Sequence, residues 1–181
     1  MPAPTTLPIS PSQTIGPFSH EAWRWACAAP DNAVQDAAAG DITISGVLRD
    51  GDGAPIDNAM IEAWSPASAA AEAGRALPGF RRVPSGADGS FSLRLGRPAA
   101  ATAGGTAEPA ALITVFMRGL VLHQFSAVFL DDADGLADAA MLVRVPAARR
   151  ATLIARKTGA ASYTWDIHMQ GARETVFFDY A

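Results

Sequence analysis

Ile42-Thr43-Ile44-Ser45-Gly46-Val47-Leu48-Arg49, running into Asp50-Gly51-Asp52-Gly53, is the stretch that decides how the rest of this chain reads. Apolar Ile42 and Ile44 alternate with Thr43 and Ser45, and Gly46-Val47 carries the run onward. A period of two puts alternate side chains on opposite faces of a strand. The Asp-Gly-Asp-Gly that follows has the composition of a hairpin-type turn. The same grammar recurs outward from it. Ala59-Met-Ile-Glu-Ala-Trp64 reads as a second strand, and Ala87-Asp-Gly-Ser90 is a tight turn opening the alternating Phe91-Ser-Leu-Arg-Leu95. Leu112–Phe116 and Val121–Leu130 read as two core strands joined through Arg118-Gly119. Tyr163–Met169 and Thr175–Tyr180 close the chain as strands.

The connecting stretches have a different texture. Ser65–Ala76 is Ala-rich but flanked by Pro66 and Gly74, which predicts a loop with some helical turn. Residues 96–109 (GRPAAATAGGTAEP) are of low complexity and predict an exposed loop, and Asp131–Asp138 an acidic one. Ala139–Val143 and a segment starting at Pro146 lead to Leu153-Ile-Ala155. Many short strands with turn signals every dozen or so residues predict an all-β chain, a sandwich or a barrel. No longer repeat runs through it. Residues 1–40 form one unit, a Pro/Ser/Thr-rich arm (1–13) and a short turn or helix at His20–Ala28 with Trp23 and Trp25. Residues 41–181 form the β domain.

Composition narrows the function. The chain has 181 residues, 49% hydrophobic and 18% charged, with a net charge of −4. No basic stripe exists to meet nucleic-acid phosphates. Low charge points to surface buried against another chain. The single Cys27 excludes an internal disulfide and cannot supply a thiolate zinc site. The absence of an apolar run of membrane-spanning length or a signal-like start predicts a soluble, cytoplasmic protein.

Most candidate chemistry has a plainer reading. His123 alternates with Leu122 and reads as a core or edge strand histidine, while His168 has Asp166 and Tyr163 within local reach. His20 has no partner in sequence. No two of the three His stand at a spacing that chelates a metal from one strand or helix face. There is no Gly-x-Ser-x-Gly elbow, and the glycine pairs do not make a phosphate loop. Asp131, Asp132 and Asp134 lack a later bidentate Glu, so they read as a solvated loop. Two features remain. In Thr14-Ile-Gly-Pro-Phe18, Gly16 permits close backbone approach and Pro17 offers a rigid apolar face for an aromatic ring. Arg118, at the strand turn, carries a planar guanidinium suited to a carboxylate.

Taken together, Pro11–Phe18, Ile44–Val47, Asp57–Trp64, Asp88-Gly-Ser-Phe91, Thr114–Phe125 and Phe177-Phe-Asp-Tyr180 resemble the intradiol ring-cleaving dioxygenases. The resemblance implies a β-sandwich of mostly antiparallel short strands, with long loops and an extended N-terminal arm. Catalytic chains of that family hold Fe(III) with two Tyr and two His. By resemblance, the His positions fall near Ala110 and Leu112, and the Tyr positions at Ala76 and within Arg97–Ala100. All four ligands are missing, so no metal is expected in this chain. The expectation is a non-metal alpha-type chain, with no catalytic residue of its own, paired with a beta subunit that carries Fe(III) in a hetero-oligomer. Thr14, Gly16, Pro17 and Arg118 would then face the substrate, protocatechuate, as O2 is added across its ring. A stand-alone binding or carrier sandwich is the alternative.

Overall fold

The computed structural model describes residues 41–75, 77–99 and 105–179. Its elements are β1 (Asp41–Arg49), β2 (Ala59–Trp64), α1 (Pro66–Ala71), β3 (Phe80–Pro84), β4 (Ser90–Gly96), β5 (Ala111–Met117) and β6 (Gln124–Leu130). A 3-10 turn (Leu136–Asp138), α2 (Ala140–Val143) and a second 3-10 stretch (Ala147–Leu153) follow. β7 (Ile154–Lys157), β8 (Ser162–Thr164) and β9 (Ile167–His168) complete the order. The strands run β3-β2-β5-β6-β7-β8-β1-β4, with β9 on β1. One layer is the antiparallel sheet β3-β2-β5-β6. The other holds β7, β8, β1 and β4, and a short parallel β6–β7 pairing joins the two. The result is a nearly closed sandwich. No helix of the described residues is long and apolar enough to cross a membrane.

Alternation sets the core. Ile42, Ile44 and Leu48 of β1, Ile61 and Ala63 of β2, Phe91, Leu93 and Leu95 of β4, and Ala111, Ile113 and Val115 of β5 all point into one buried cluster. A smaller cluster lies on the other side of β6, where Ala127 and Phe129 meet Leu142, Val145 and Leu153. The edges opposite β6–β7 are clasped by a side chain. Arg81, on the inner face of β3 and 5% exposed, donates from Nε to the Arg94 carbonyl of β4 at 2.9 Å. Its guanidinium also binds Glu72 beyond α1. Burial pushes the Glu72 carboxyl up, but the Arg81 hydrogen bond, the Gly79 N–H and the nearby Arg charges outweigh it and hold the carboxyl below its ordinary value.

Several expectations are corrected. The Asp50–Gly53 turn is present, closed by Asp50 N–H to the Ala54 carbonyl at 2.9 Å. It does not pair β1 with β2, because β1 pairs with β4, β8 and β9 while β2 crosses to the other layer. Pro66 starts α1, the helical turn expected within Ser65–Ala76. It sits in the first turn, where a missing N–H costs nothing, and Ser65 Oγ accepts from Ser68 N–H. Ala107 and Pro109 are buried, so the end of the low-complexity stretch is not an exposed loop. Residues 121–123 are not strand, since β6 begins at Gln124. Thr175–Asp179 form no strand either, and only an isolated bridge links Phe178 to Phe125.

The acidic loop is also more than solvated. Asp132 accepts from Arg97 and Lys157 at 2.8 Å each and from the hydroxyl of buried Tyr163 at 3.0 Å. Arg97 in turn donates to the Tyr163 oxygen. Partial burial pushes the Asp132 carboxyl up, but the bonds from Lys157, Arg97 and Tyr163 win and hold it far below its ordinary value.

Gly46 is the tightest backbone position. β8 pairs with β1 as far as Ser45, the chain then steps aside at Trp165, and pairing resumes at Leu48 through β9. A Cβ on Gly46 would lie 1.8 Å from the Trp165 carbonyl oxygen. Gly46→Ala should therefore destabilise the chain by at least about 1–3 kcal/mol, the usual range for overpacking, read as a lowered midpoint in urea. An unchanged midpoint would contradict this placement. For Asp132 the sign follows from a depressed carboxyl: its stabilisation is complete above the unfolded value of about 4 and is lost as pH falls through the folded one. Asp132→Asn should cost about 1–2 kcal/mol at neutral pH, allowing for solvent screening. It should also flatten the loss of stability below about pH 4, and an acid limb as steep as the native one would contradict the assignment.

Candidate functional site

The β5–β6 hairpin carries the one described residue among those expected to face substrate. Its ladder runs from Ala111↔Val128 to Val115↔Gln124, and residues 118–123 form the loop beyond it. Leu120 N–H bonds the Met117 carbonyl at 3.3 Å, which makes Arg118 and Gly119 the central residues of a four-residue turn. Gly119 has φ +88°, the left-handed backbone that glycine adopts without strain at the second central position. Arg118 precedes it, exposed, with no hydrogen bond or ion pair to a described residue. A cation on a short turn with no partner among the described residues is available to an anion brought to it. Thr14, Gly16 and Pro17 lie outside the described residues, as do Ala76, Ala100 and the 1–40 arm.

The loop is bordered by apolar groups. Val121 and Leu122 are exposed, and His123 is exposed just before β6 rather than at the core or edge position of a strand that the alternation suggests. Its ring lies 5.3 Å from Phe116 and 4.6 Å from Phe125, centroid to centroid. On the inner side of the loop, a cleft of about 400 Å³ is lined by Met117, Leu120, Gln124, Met169, Glu174 and Phe177, among others. The sequence reads Val121–His123 as part of a strand, and the cleft, which carries no motif, was not singled out from it.

On the outward face of the same sheet, register aligns Phe80, Trp64 and Leu112 in one row and Arg82, Glu62, Thr114 and Phe125 in the next. Arg82 pairs with Glu62 and lies over the Phe80 ring at 5.2 Å. Trp64 is 43% exposed. Leu112 sits on this face, while Ala110 is fully buried just before β5. These are the positions where the resemblance puts two His ligands. Neither residue has a donor atom, and no three His, Cys, Asp or Glu of the described residues group so as to hold a metal ion. The residues present here do not fit a ferric ion.

The other described histidine, His168, has no catalytic setting among the described residues, and His20 lies outside them. His168 bonds through its backbone, its N–H to Thr175 Oγ1 at 3.0 Å. The two partners expected for its side chain are engaged elsewhere, Asp166 by Val47 N–H and Tyr163 by Asp132. Burial and the Arg173 charge push the imidazole below its usual value, so it is neutral at pH 7.

Comparison with known proteins gives this geometry its context. No family model matches the chain. The protocatechuate 3,4-dioxygenase alpha chain of Burkholderia cepacia is 35% identical over 97% of this chain and 99% of its own length. The alpha chain of the same name from Pseudomonas putida is 31% identical over 96% of this chain and 98% of its own length. Among solved structures, the dioxygenase domain of a carbohydrate-binding fusion protein from Streptomyces sp. SirexAA-E superposes with a TM-score of 0.57. It covers 90% of this chain and all of that one at 17% identity. An intradiol ring-cleavage dioxygenase from Tetranychus urticae gives 0.56 at 11% identity, covering 80% of this chain and 88% of its own. The structural likenesses carry the fold, and the sequence likeness over both full lengths carries the kinship: this chain belongs to the protocatechuate 3,4-dioxygenase alpha chain family.

Proposed function

We propose that this chain is the non-iron alpha subunit of a protocatechuate 3,4-dioxygenase. A beta subunit holds Fe(III) in the hetero-oligomer, and this chain completes its active site in the cytoplasm. The pair cleaves the protocatechuate ring between its two hydroxyls with O2, giving 3-carboxy-cis,cis-muconate. The observation that carries this reading is sequence likeness along the full length of its alpha-chain relatives. It is supported by the apolar Ala110 and Leu112 near the positions where the resemblance puts iron ligands. When bound in the partner, the ferric ion supplies the chemistry of ring opening; this chain supplies contacts to the substrate.

Arg118 is the contact for the substrate carboxylate. The turn sets the local backbone conformation beside Arg118 and leaves its side chain exposed, able to reach a carboxylate in the partner's cleft. Thr14, Gly16 and Pro17 of the arm line the same cleft. A site that selects protocatechuate over catechol needs a cation beyond the iron, and a charge-assisted bond contributes about 1.5–3 kcal/mol.

Co-expression with the iron-bearing partner should give protocatechuate-dependent O2 uptake that neither chain shows alone; uptake by the partner alone at the same rate would overturn the proposal. In the complex, Arg118→Ala should raise KM for protocatechuate by about one to two orders of magnitude. An unaltered KM would remove Arg118 from the site. Deleting residues 1–17 should cut turnover while leaving the sandwich folded by circular dichroism, and native kinetics from the truncated complex would contradict a role for the arm.

A further inference from the structure

Arg118 can select a carboxylate only if its loop is held still, and the backbone does little of that holding. Within residues 118–123 the turn bond from Leu120 to Met117 is long, at 3.3 Å. Gln124 Nε2 adds one side-chain bond to the Leu122 carbonyl, also at 3.3 Å. The β5–β6 ladder has already ended at Val115↔Gln124. The next pair in register is Phe116 opposite His123, and there side chains take over from the backbone. The imidazole lies against Phe116, tilted by 33°, and meets Phe125 edge-to-face at 88°. Both are arrangements that aromatic rings favour, each worth a fraction of a kcal/mol to somewhat more beyond burial. His123 is thus the anchor at one foot of the loop, with Met117 at the other.

We propose that His123 is a positioning residue: its ring, held by Phe116 and Phe125, fixes the 118–123 loop so that Arg118 is presented to the substrate carboxylate. The inference rests on the reading of Arg118 given above and extends it to a residue that touches neither substrate nor iron. The ring itself is what matters, not its titration. A flat aromatic of similar size should serve, and a polar side chain without a ring should not.

The test uses the assembled complex with protocatechuate. His123→Ala and His123→Gln should each raise KM, and the dissociation constant measured by anaerobic titration, about three- to tenfold. The rate at saturation and the visible spectrum of the iron should be retained. His123→Phe should restore native affinity. In the Arg118→Ala background, adding His123→Ala should change nothing further, because the loop then presents no cation. Native affinity in both ring-less variants, failure of His123→Phe to rescue, or an effect of His123→Ala undiminished in that background would each overturn the proposal. A native KM for Arg118→Ala alone would instead identify the underlying reading of Arg118 as the point of failure, and the positioning role would fall with it.

Discussion

A guanidinium on the inner face of a sheet cannot be left unpaired, and Arg81 imposes that constraint on this whole sandwich. Burying a cation costs several kcal/mol unless its hydrogen bonds are supplied inside. Here the Arg94 carbonyl, the Phe80 carbonyl and the Glu72 carboxylate supply them. Those partners come from β4, from β3 itself and from the segment after α1, so satisfying one side chain brings the two free edges and the helix together. The opposite side is closed by backbone pairing between β6 and β7. Between the two closures the space is filled by aliphatic and aromatic groups such as Ile44, Ile61, Leu93 and Ile113. Among the described residues the core is packed with apolar side chains, and the larger clefts open at the surface. What this chain offers a partner lies on its hairpin turn and its outward faces.

Much of this was legible in the sequence where one face of a strand is apolar and the other polar. β1 and β4 follow that rule, with Phe91, Leu93 and Leu95 buried as the alternation requires. β2 and β5 are instead apolar runs with Met60, Trp64, Leu112 and Phe116 on their outward faces. β3 was not legible, because the constraint just described inverts the rule: Arg81 points inward, and Pro84 ends the strand. Residues 121–123 extend the apolar run of β6 without being in it, since the ladder ends before they begin. Thr175–Asp179 look like a strand but lie across the end of the sandwich, where Phe177 packs against the main core and Val176 and Phe178 against the smaller one. Asp132 looked solvated because its cations, Arg97 and Lys157, are 35 and 25 residues away in sequence, beyond any local pattern.

The candidate site divides in the same way. The Arg118-Gly119 turn announces itself, because a glycine at a left-handed position is a local requirement. The contribution of His123 was hidden, since it depends on Phe116 and Phe125 meeting it across the hairpin. Nothing in the local pattern marks Ala110 and Leu112: they are unremarkable apolar residues at the start of β5, and only the resemblance gives their positions a meaning. With that meaning, an apolar face and a cation unpaired among the described residues, both on one hairpin, support the proposed role of a chain that shapes a site powered by its partner.

The central claim is that this chain has kept the sandwich and given up the iron. Titrating ferric ion into the purified chain alone, while following the visible spectrum and the iron bound after desalting, tests it most directly. The account predicts no tyrosinate-to-iron band and no stoichiometric iron. One iron per chain with such a band would contradict it.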